Sequence, residues 1–95
     1  MKFEWHDAKS RLNVRKHGVS FEAARRVFDD PYALMLLDEA TEGEERWPAI
    51  GRSGVDVVLV VAHTLRPKGS EDFSRIIAAR KTLRHERKHY EDQAS

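Results

Sequence analysis

The sequence predicts an α+β domain with the element order α-α-β-β-β-β-α, in which terminal helices pack a mainly antiparallel four-stranded sheet. Helical periodicity is confined to the two ends of the chain, and apolar runs separated by turn residues fill its middle. The length of 95 residues suits one domain, so we assign residues 1–95 to a single domain with a frayed tail at about 92–95.

Two helices are predicted near the N-terminus. The first spans 6–17, because Trp5, Ala8 and Leu12 recur at helical spacing. Gly18 suits the left-handed residue that ends such a helix. Ser20 is the predicted N-cap of a second helix over 21–28, which ends before Pro31.

Four segments are predicted as strands, namely 33–37, 46–52, 57–65 and 73–81. The third is apolar at both odd-numbered and even-numbered positions, which is typical of a strand buried on both faces. In the fourth, alternation places Arg75 and Arg80 on opposite faces. Turns are predicted at 42–44 and 53–54 and a loop at 66–72, and a thin terminal helix follows to about residue 92 with Thr82 as its N-cap.

The composition excludes several classes of protein. The chain has no cysteine, which excludes disulfides, a thiol nucleophile and thiolate metal ligands. Its longest mainly apolar stretch, around 57–62, is far shorter than the roughly 20 residues of a membrane-spanning helix. The N-terminus turns polar where a signal peptide needs an apolar region. We therefore expect a cytoplasmic protein with no membrane partner.

The charge is unevenly distributed along the chain. Seventeen basic and sixteen acidic residues give a formal net charge of +1, but segments 1–28, 29–45 and 46–95 carry +4, −7 and +4. Residues 75–90 hold six cations and one acid, Glu86. Such a basic region favours binding of an anion, whereas the acidic middle suits solubility or a basic partner.

Two histidine patterns suggest a zinc site and a functional histidine, but the surrounding sequence argues against both. His85, Glu86 and His89 match the H-E-x-x-H motif of zinc proteases. The helix that carries them is thin, and few residues follow to supply a third ligand. His63 shares its parity with apolar strand residues and is more typical of a core histidine.

RNA is an anion that the basic regions could bind and cleave. Cleavage without a metal requires a base for the 2′-hydroxyl, an acid for the leaving 5′-oxygen and cations for the phosphate charge. Histidine, glutamate, lysine and tyrosine can transfer these protons, and arginine grips phosphate bidentately. The chain offers all of these near its basic ends, and spacing alone does not assign them.

Short motifs in series carry a family resemblance. The first is Phe3-Glu4-Trp5…Lys9…Asn13…Lys16-His17-Gly18-Val19-Ser20-Phe21, and the last is Arg75-Ile76-Ile77-Ala78-Ala79-Arg80-Lys81…Arg84…Glu86-Arg87…Tyr90. Between them stand Phe28-Asp29-Asp30-Pro31, Ile50-Gly51-Arg52-Ser53 and His63-Thr64-Leu65-Arg66. Over about residues 3–90 these motifs resemble the BrnT toxin family. His6 replaces the family's helix-capping aspartate, which weakens or shifts the cap, and Ala78 stands where serine is common.

The resemblance implies a RelE-like fold and a bacterial toxin of a type II toxin–antitoxin pair. Such toxins block translation by cutting RNA without a metal or another cofactor. The implied partner is a small BrnA-like antitoxin with a DNA-binding dimerisation domain. The complex would repress its own operon and contact operator DNA only through the antitoxin.

We expect the site to draw on residues from both basic ends. The predicted catalytic residues are Arg66, Arg75, Arg80, Lys81, His17, Glu86 and Tyr90, and the predicted RNA contacts are Lys16, Arg52, Arg84 and Arg87. The three catalytic arginines would hold the scissile phosphate. Two alternatives stay open: a non-catalytic module that binds RNA or antitoxin, and a zinc hydrolase. Cleavage of RNA in EDTA would support the metal-free ribonuclease and exclude both alternatives.

Overall fold

The computed structural model describes residues 2–35, 47–69 and 71–94 of the chain. Its helices are α1 (Asp7–His17), α2 (Phe21–Arg25) and α3 (Arg84–Ala94), and α2 runs directly into a 3₁₀ helix at Arg26–Asp29. Its strands are β1 (Lys2–Glu4), β2 (Leu34–Met35), β3 (Trp47–Arg52), β4 (Val58–Lys68) and β5 (Glu71–Lys81). The α+β class is therefore confirmed.

The strands of the described chain form one mixed sheet, in the order β1-β5-β4-β3-β2. Strands β2 to β5 are the four predicted ones, and each pairs antiparallel with the next. The prediction of a four-stranded sheet was wrong, because β1 forms a fifth strand that pairs in parallel with β5. Its three residues are too few to show periodicity, so β1 depends on its pairing with β5.

Several predicted boundaries need correction. Residues 66–68 and 71–72 of the predicted loop are instead strand, since β4 runs to Lys68 and β5 begins at Glu71, and Gly69 is a turn residue whose φ of 62° suits glycine. The predicted helix 21–28 tightens to 3₁₀ geometry after Arg25. Residues 36–37 of the first predicted strand, residue 46 of the second and the predicted turn at 42–44 lie outside the described residues.

Helices α1 and α2 and the 3₁₀ helix pack on one face of the sheet. The buried core on this face consists of Val19, Phe21, Ala24, Val27, Ala49, Leu59, Val61, Ile76 and Ala79. The other face carries a smaller core, in which α3 contributes Tyr90 against Ile50, Val58 and Val60. As predicted, β4 is buried on both faces over Val58–Val61. Beyond this small core, Ala62, Thr64 and Ala78 on the second face are partly exposed, so this part of the face is accessible.

Buried polar side chains attach α1 to the sheet. Asn13 Nδ2 donates to the carbonyl oxygens of Val19 and Ala79 at 2.7 and 2.8 Å, and Asn13 Oδ1 accepts from the Ala79 N–H at 3.3 Å. Ser10 Oγ accepts from the Phe21 N–H at 3.0 Å. Asn13 thus fixes α1 against the C-terminal end of β5, and Ser10 fixes it against the start of α2.

The ends of the helices follow their capping chemistry. The N-cap of α1 is His6, which makes no side-chain capping bond, as expected where histidine replaces aspartate. Gly18 ends α1 at a φ of 72°, and Ser20 caps α2 by accepting from the Ala23 N–H, both as predicted. The N-terminus of α3 is closed differently from the predicted Thr82 cap, because Glu86 accepts from the Leu83 N–H at 2.7 Å.

A β-bulge interrupts the pairing of β4 with β5. Ala62 pairs with Ala78, but His63 pairs with Ile76, so Ile77 is an extra residue on β5. Ile76 and Ala79 consequently both join the core beneath the helices. The predicted alternation of β5 was therefore wrong, and Arg75 and Arg80 lie on the same face of the sheet.

His63 lies in the core at the bulge. Its side chain is 1% exposed, its ring meets Phe28 edge to face at 4.8 Å, and Ser74 Oγ lies 3.1 Å from Nδ1. Nε2 has no hydrogen-bond partner among the described residues. Burial lowers the pKa of His63 below the ordinary 6.5, because the interior disfavours the charged ring.

This burial predicts a loss of stability in mild acid. Below pH 6.5 the unfolded chain protonates His63 while the folded chain resists, so the free energy of unfolding falls by up to about 1.4 kcal/mol per pH unit until the folded-state pKa is reached. Urea unfolding at pH 7.5 and 5.5 measures this. His63→Gln should reduce the difference between the free energies of unfolding at the two pH values by about 1 kcal/mol. The control His89→Gln, at an exposed position, should leave that difference unchanged. Equal differences in both variants would contradict the assignment.

Candidate active site

The accessible face of the sheet carries a row of small and basic side chains. The register places Thr64 opposite Arg75, Ala62 opposite Ala78 and Val60 opposite Arg80. All of these share the face on which α3 lies, because Val60 contributes to the core that contains Tyr90. The row therefore has an arginine at each end and alanines between them.

A shallow cavity opens at the Arg80 end of this row. Its volume is about 100 Å³, and it is lined by His17, Val60, Ala62, Ala78, Ala79 and Arg80. The floor is apolar and small, and the two side chains that can act on an anion are Arg80 and His17. The cavity thus joins the C-terminus of α1 to the end of β5.

Arg80 is held by Glu86 of α3. Its Nη1 and Nη2 donate to the two oxygens of Glu86 at 2.8 and 2.9 Å, and Nη1 also donates to the Lys81 carbonyl oxygen at 3.2 Å. Of the five N–H donors of a guanidinium, Nε–H and one on Nη2 have no acceptor in the described chain. These two donors lie side by side on one edge of the guanidinium and can bind two phosphate oxygens at once, and we call them the side-on fork.

The same pair sets the protonation of Glu86. Hydrogen bonding from Arg80 is the largest cause that lowers the pKa of Glu86 to about 2, and that contact raises the pKa of Arg80. A carboxylate with so low a pKa is a poor proton acceptor at neutral pH. The Arg80 side chain is 39% exposed, so its free donors are within reach of a ligand while Glu86 orients it.

His17 reaches the cavity from the last turn of α1. Its side chain is exposed, and the following Gly18 ends the helix there. Asn13 bonds to Ala79, the neighbour of Arg80. The position of His17 relative to Arg80 is thus fixed through Asn13, a role that the sequence pattern did not reveal.

Tyr90 lies in a hydrogen-bonded cluster that closes α3 onto the sheet. Its side chain is fully buried, its hydroxyl donates to Asp30 Oδ2, and Asp30 also accepts from the Arg52 N–H at 2.8 Å. Burial and the bond to Asp30 raise the pKa of Tyr90. Burial alone would raise the pKa of Asp30, but the bonds from Tyr90, Arg52 and Tyr32 lower it overall. This geometry suits anchoring rather than proton transfer to a ligand.

Arg52 belongs to the same cluster. Its Nη1 donates to the Val55 carbonyl oxygen at 3.1 Å, and its guanidinium lies 6.0 Å from the centre of the Tyr90 ring. The structure thus places Arg52 beside α3 at the end of β3, separate from the residues that line the small cavity.

At the other end of the row, Arg75 faces Glu4 of β1. Arg75 Nε lies 3.4 Å from Glu4 Oε1, across the parallel pairing of β1 with β5. Glu4 was not among the predicted site residues, because the strand that carries it was not predicted.

The remaining predicted cations lie elsewhere. Lys81, Arg84 and Arg87 line a second cleft of about 280 Å³ together with Asp56, Val57, Val58, Thr82 and Leu83. Arg87 also pairs with Glu91 along α3. Lys16 is exposed one residue before His17. Arg66 lies on β4 opposite Phe73, and its side chain is outside the described part of the structure. Of the predicted residues, His17 and Arg80 therefore line the small cavity and Lys81, Arg84 and Arg87 line the second cleft, whereas Arg75, Arg52, Tyr90 and Lys16 line neither.

The zinc-hydrolase alternative gains no support from the geometry. His85 and His89 are exposed on α3, while Glu86 turns toward Arg80. No group of three or more metal-ligating side chains occurs within residues 2–35, 47–69 and 71–94. The glutamate of the motif thus has a different partner from the one that a zinc protease requires.

Comparison with known proteins decides the family. A family model described as "Ribonuclease toxin, BrnT, of type II toxin-antitoxin system" matches residues 5–86. The chain belongs to the BrnT family. The crystal structure of the ribonuclease toxin BrnT from Brucella abortus is similar, with a TM-score of 0.63 and 26% identity over 88% of this chain and 99% of that one. No curated protein sequence matches the chain.

Membership of the BrnT family identifies the chain as a ribonuclease toxin of a type II system, as the sequence motifs predicted. It also implies an antitoxin partner. No helix in the described chain has the length and apolar character needed to cross a membrane.

Proposed function

We propose that the chain is a metal-independent endoribonuclease whose active site is the cavity between Arg80 and His17. The observation that carries this proposal is the Arg80–Glu86 pair, which holds the Arg80 guanidinium at the cavity that His17 also lines and leaves a phosphate-binding fork free. An arginine and a histidine at one small cavity supply the charge stabilisation and proton transfer that cleavage of RNA needs.

In the proposed reaction the 2′-oxygen bonds to phosphorus and the bond to the 5′-oxygen breaks. The Nε–H and Nη2–H donors of Arg80 hold the non-bridging oxygens, on which charge grows in the transition state. His17 donates a proton to the leaving 5′-oxygen and then regains one from water. The proton of the 2′-hydroxyl passes to solvent. The products are a 2′,3′-cyclic phosphate and a 5′-hydroxyl.

The other predicted catalytic residues receive different parts in this proposal. Glu86 orients Arg80, since its pKa of about 2 makes it a weak base. Tyr90 anchors α3 through Asp30. Lys81, with Arg84 and Arg87, binds flanking phosphates at the second cleft, while Lys16 next to His17 and Arg52 beside α3 add positive charge to the surface. Arg66 remains a predicted phosphate contact.

Membership of the BrnT family also supports a proposal about the toxin's cellular role and its partners. We infer that the toxin inhibits translation in the cytoplasm and shares a RelE-like architecture. A BrnA-like antitoxin would neutralise it, and the resulting complex would repress its own operon by contacting DNA through the antitoxin.

Cleavage of a labelled RNA in excess EDTA tests the mechanism. We expect cleavage to continue and to leave 2′,3′-cyclic phosphate ends, and a strand with a single 2′-deoxy nucleotide to resist at that position. Loss of cleavage in EDTA with restoration by zinc would contradict metal independence. RNA binding without cleavage under any condition would support the non-catalytic alternative instead.

A further inference from the structure

The bulge on β5 aligns two arginines that alternation would separate. Because Ile77 is an extra residue in the pairing, Arg75 and Arg80 share the accessible face of the sheet. Their partners on β4, Thr64 and Val60, stand four residues apart. At about 3.3 Å per residue, the backbones of the two arginines lie about 13 Å apart.

Arg75 has hydrogen-bonding capacity to spare. Its guanidinium pairs with Glu4, with Nε 3.4 Å from Oε1, and this Nε is buried and makes no hydrogen bond within the described chain. The side chain as a whole is 33% exposed, so part of it other than the buried Nε is within reach of a ligand. Because the pair with Glu4 is made through Nε, the Nη1 and Nη2 donors of the guanidinium can bind an anion.

The surface between the two arginines suits an extended ligand. Ala62, Thr64 and Ala78 present small, half-buried side chains, which let a chain molecule approach the sheet closely. Adjacent phosphates of one RNA strand lie farther apart than the helical rise of about 3.4 Å, so a distance of about 13 Å spans a few nucleotides.

We propose that Arg75 forms a second phosphate subsite, several nucleotides from the phosphate held by Arg80, so that the toxin selects RNA strands long enough to span both. This rests on the proposed assignment of Arg80 to the scissile phosphate. Arg75 is here a binding residue that contributes to substrate affinity, and the bulge at Ile77 is the feature that brings it into line.

Binding of uncleavable 2′-O-methyl oligonucleotides of two to eight nucleotides, measured by fluorescence anisotropy, tests this subsite without requiring catalysis. Wild-type affinity should rise by about tenfold as the strand becomes long enough to reach Arg75, an increment equal to one good charged contact. Arg75→Gln should lose that increment but bind the shortest strands as the wild type does, and Arg75→Lys should recover part of it. In Arg75→Gln, the slope of log affinity against log salt concentration should be shallower than in the wild type by about 0.7, which corresponds to one lost phosphate contact.

Two controls show whether a loss of binding is specific to the Arg75 side chain. Arg26→Gln removes an exposed cation from the 3₁₀ helix on the opposite face and should preserve the full length profile. Thermal unfolding should show that Arg75→Gln is folded. An unchanged profile in Arg75→Gln, or an equal loss at every length, would overturn the second subsite. If RNA is bound with this profile but never cleaved, the proposed activity fails while the subsite stands.

Discussion

Arg80→Gln is expected to lower the rate of RNA cleavage by about 100- to 1,000-fold, the usual cost of removing one preorganised donor to a transition-state oxyanion. The reason is geometric: glutamine lacks both the charge and the side-on fork that Glu86 leaves free on Arg80. Single-turnover cleavage of one labelled RNA measures the effect, and toxicity in cells that lack the antitoxin should fall in parallel.

Controls separate catalysis from folding in this experiment. Arg80→Gln leaves Glu86 without its main partner, so the double variant Arg80→Gln/Glu86→Gln should regain stability and stay inactive. Arg80→Lys keeps the charge without the fork and should recover only a small part of the rate. A cleavage rate in Arg80→Gln within about twofold of wild type, instead of the expected 100- to 1,000-fold loss, would exclude Arg80 from the site.

Asn13→Ala should be the most destabilising single change on α1. It leaves the carbonyl oxygens of Val19 and Ala79 and the N–H of Ala79 without their buried partner. At about 1 kcal/mol per lost bond, we expect the free energy of unfolding to fall by about 2–4 kcal/mol, with a drop in Tm of about 10–20 °C for a domain of this size.

The neighbouring Leu12 supplies a matched control for Asn13. Its side chain is 58% exposed, so Leu12→Ala on the same helix should cost less than about 0.5 kcal/mol. Since Asn13 also fixes the end of α1 against β5, Asn13→Ala should reduce cleavage even at temperatures where the variant is folded. A change in Tm as small as that of Leu12→Ala would refute this role.

The sequence predicted the elements whose signals are local. Gly18 and Ser20 mark helix boundaries by backbone conformation and side-chain bonding within a few residues, and both act as predicted. The apolar run of β4 likewise revealed its burial. In contrast, β1 forms by pairing with a strand about seventy residues away, and no local pattern reports such a contact.

The site was harder to predict because it depends on register. Counting alternate residues put Arg75 and Arg80 on opposite faces, whereas the bulge at Ile77 puts them on one. The motif that contains Glu86 resembled a zinc site, but a partner six residues earlier, Arg80, determines what Glu86 does. The sequence therefore named many of the relevant residues and could not sort them into orienting, binding and anchoring roles.

Cleavage of an RNA whose leaving 5′-oxygen is replaced by sulfur tests the central claim most directly, because a thiolate departs without a proton. His17→Ala should cleave the normal RNA about 100-fold more slowly than wild type and the sulfur-containing RNA at nearly the wild-type rate. Arg80→Gln should be slow on both substrates, since both still place charge on the phosphate oxygens. Wild-type rates in both variants on the normal RNA would contradict the assignment of the active site to the cavity between Arg80 and His17.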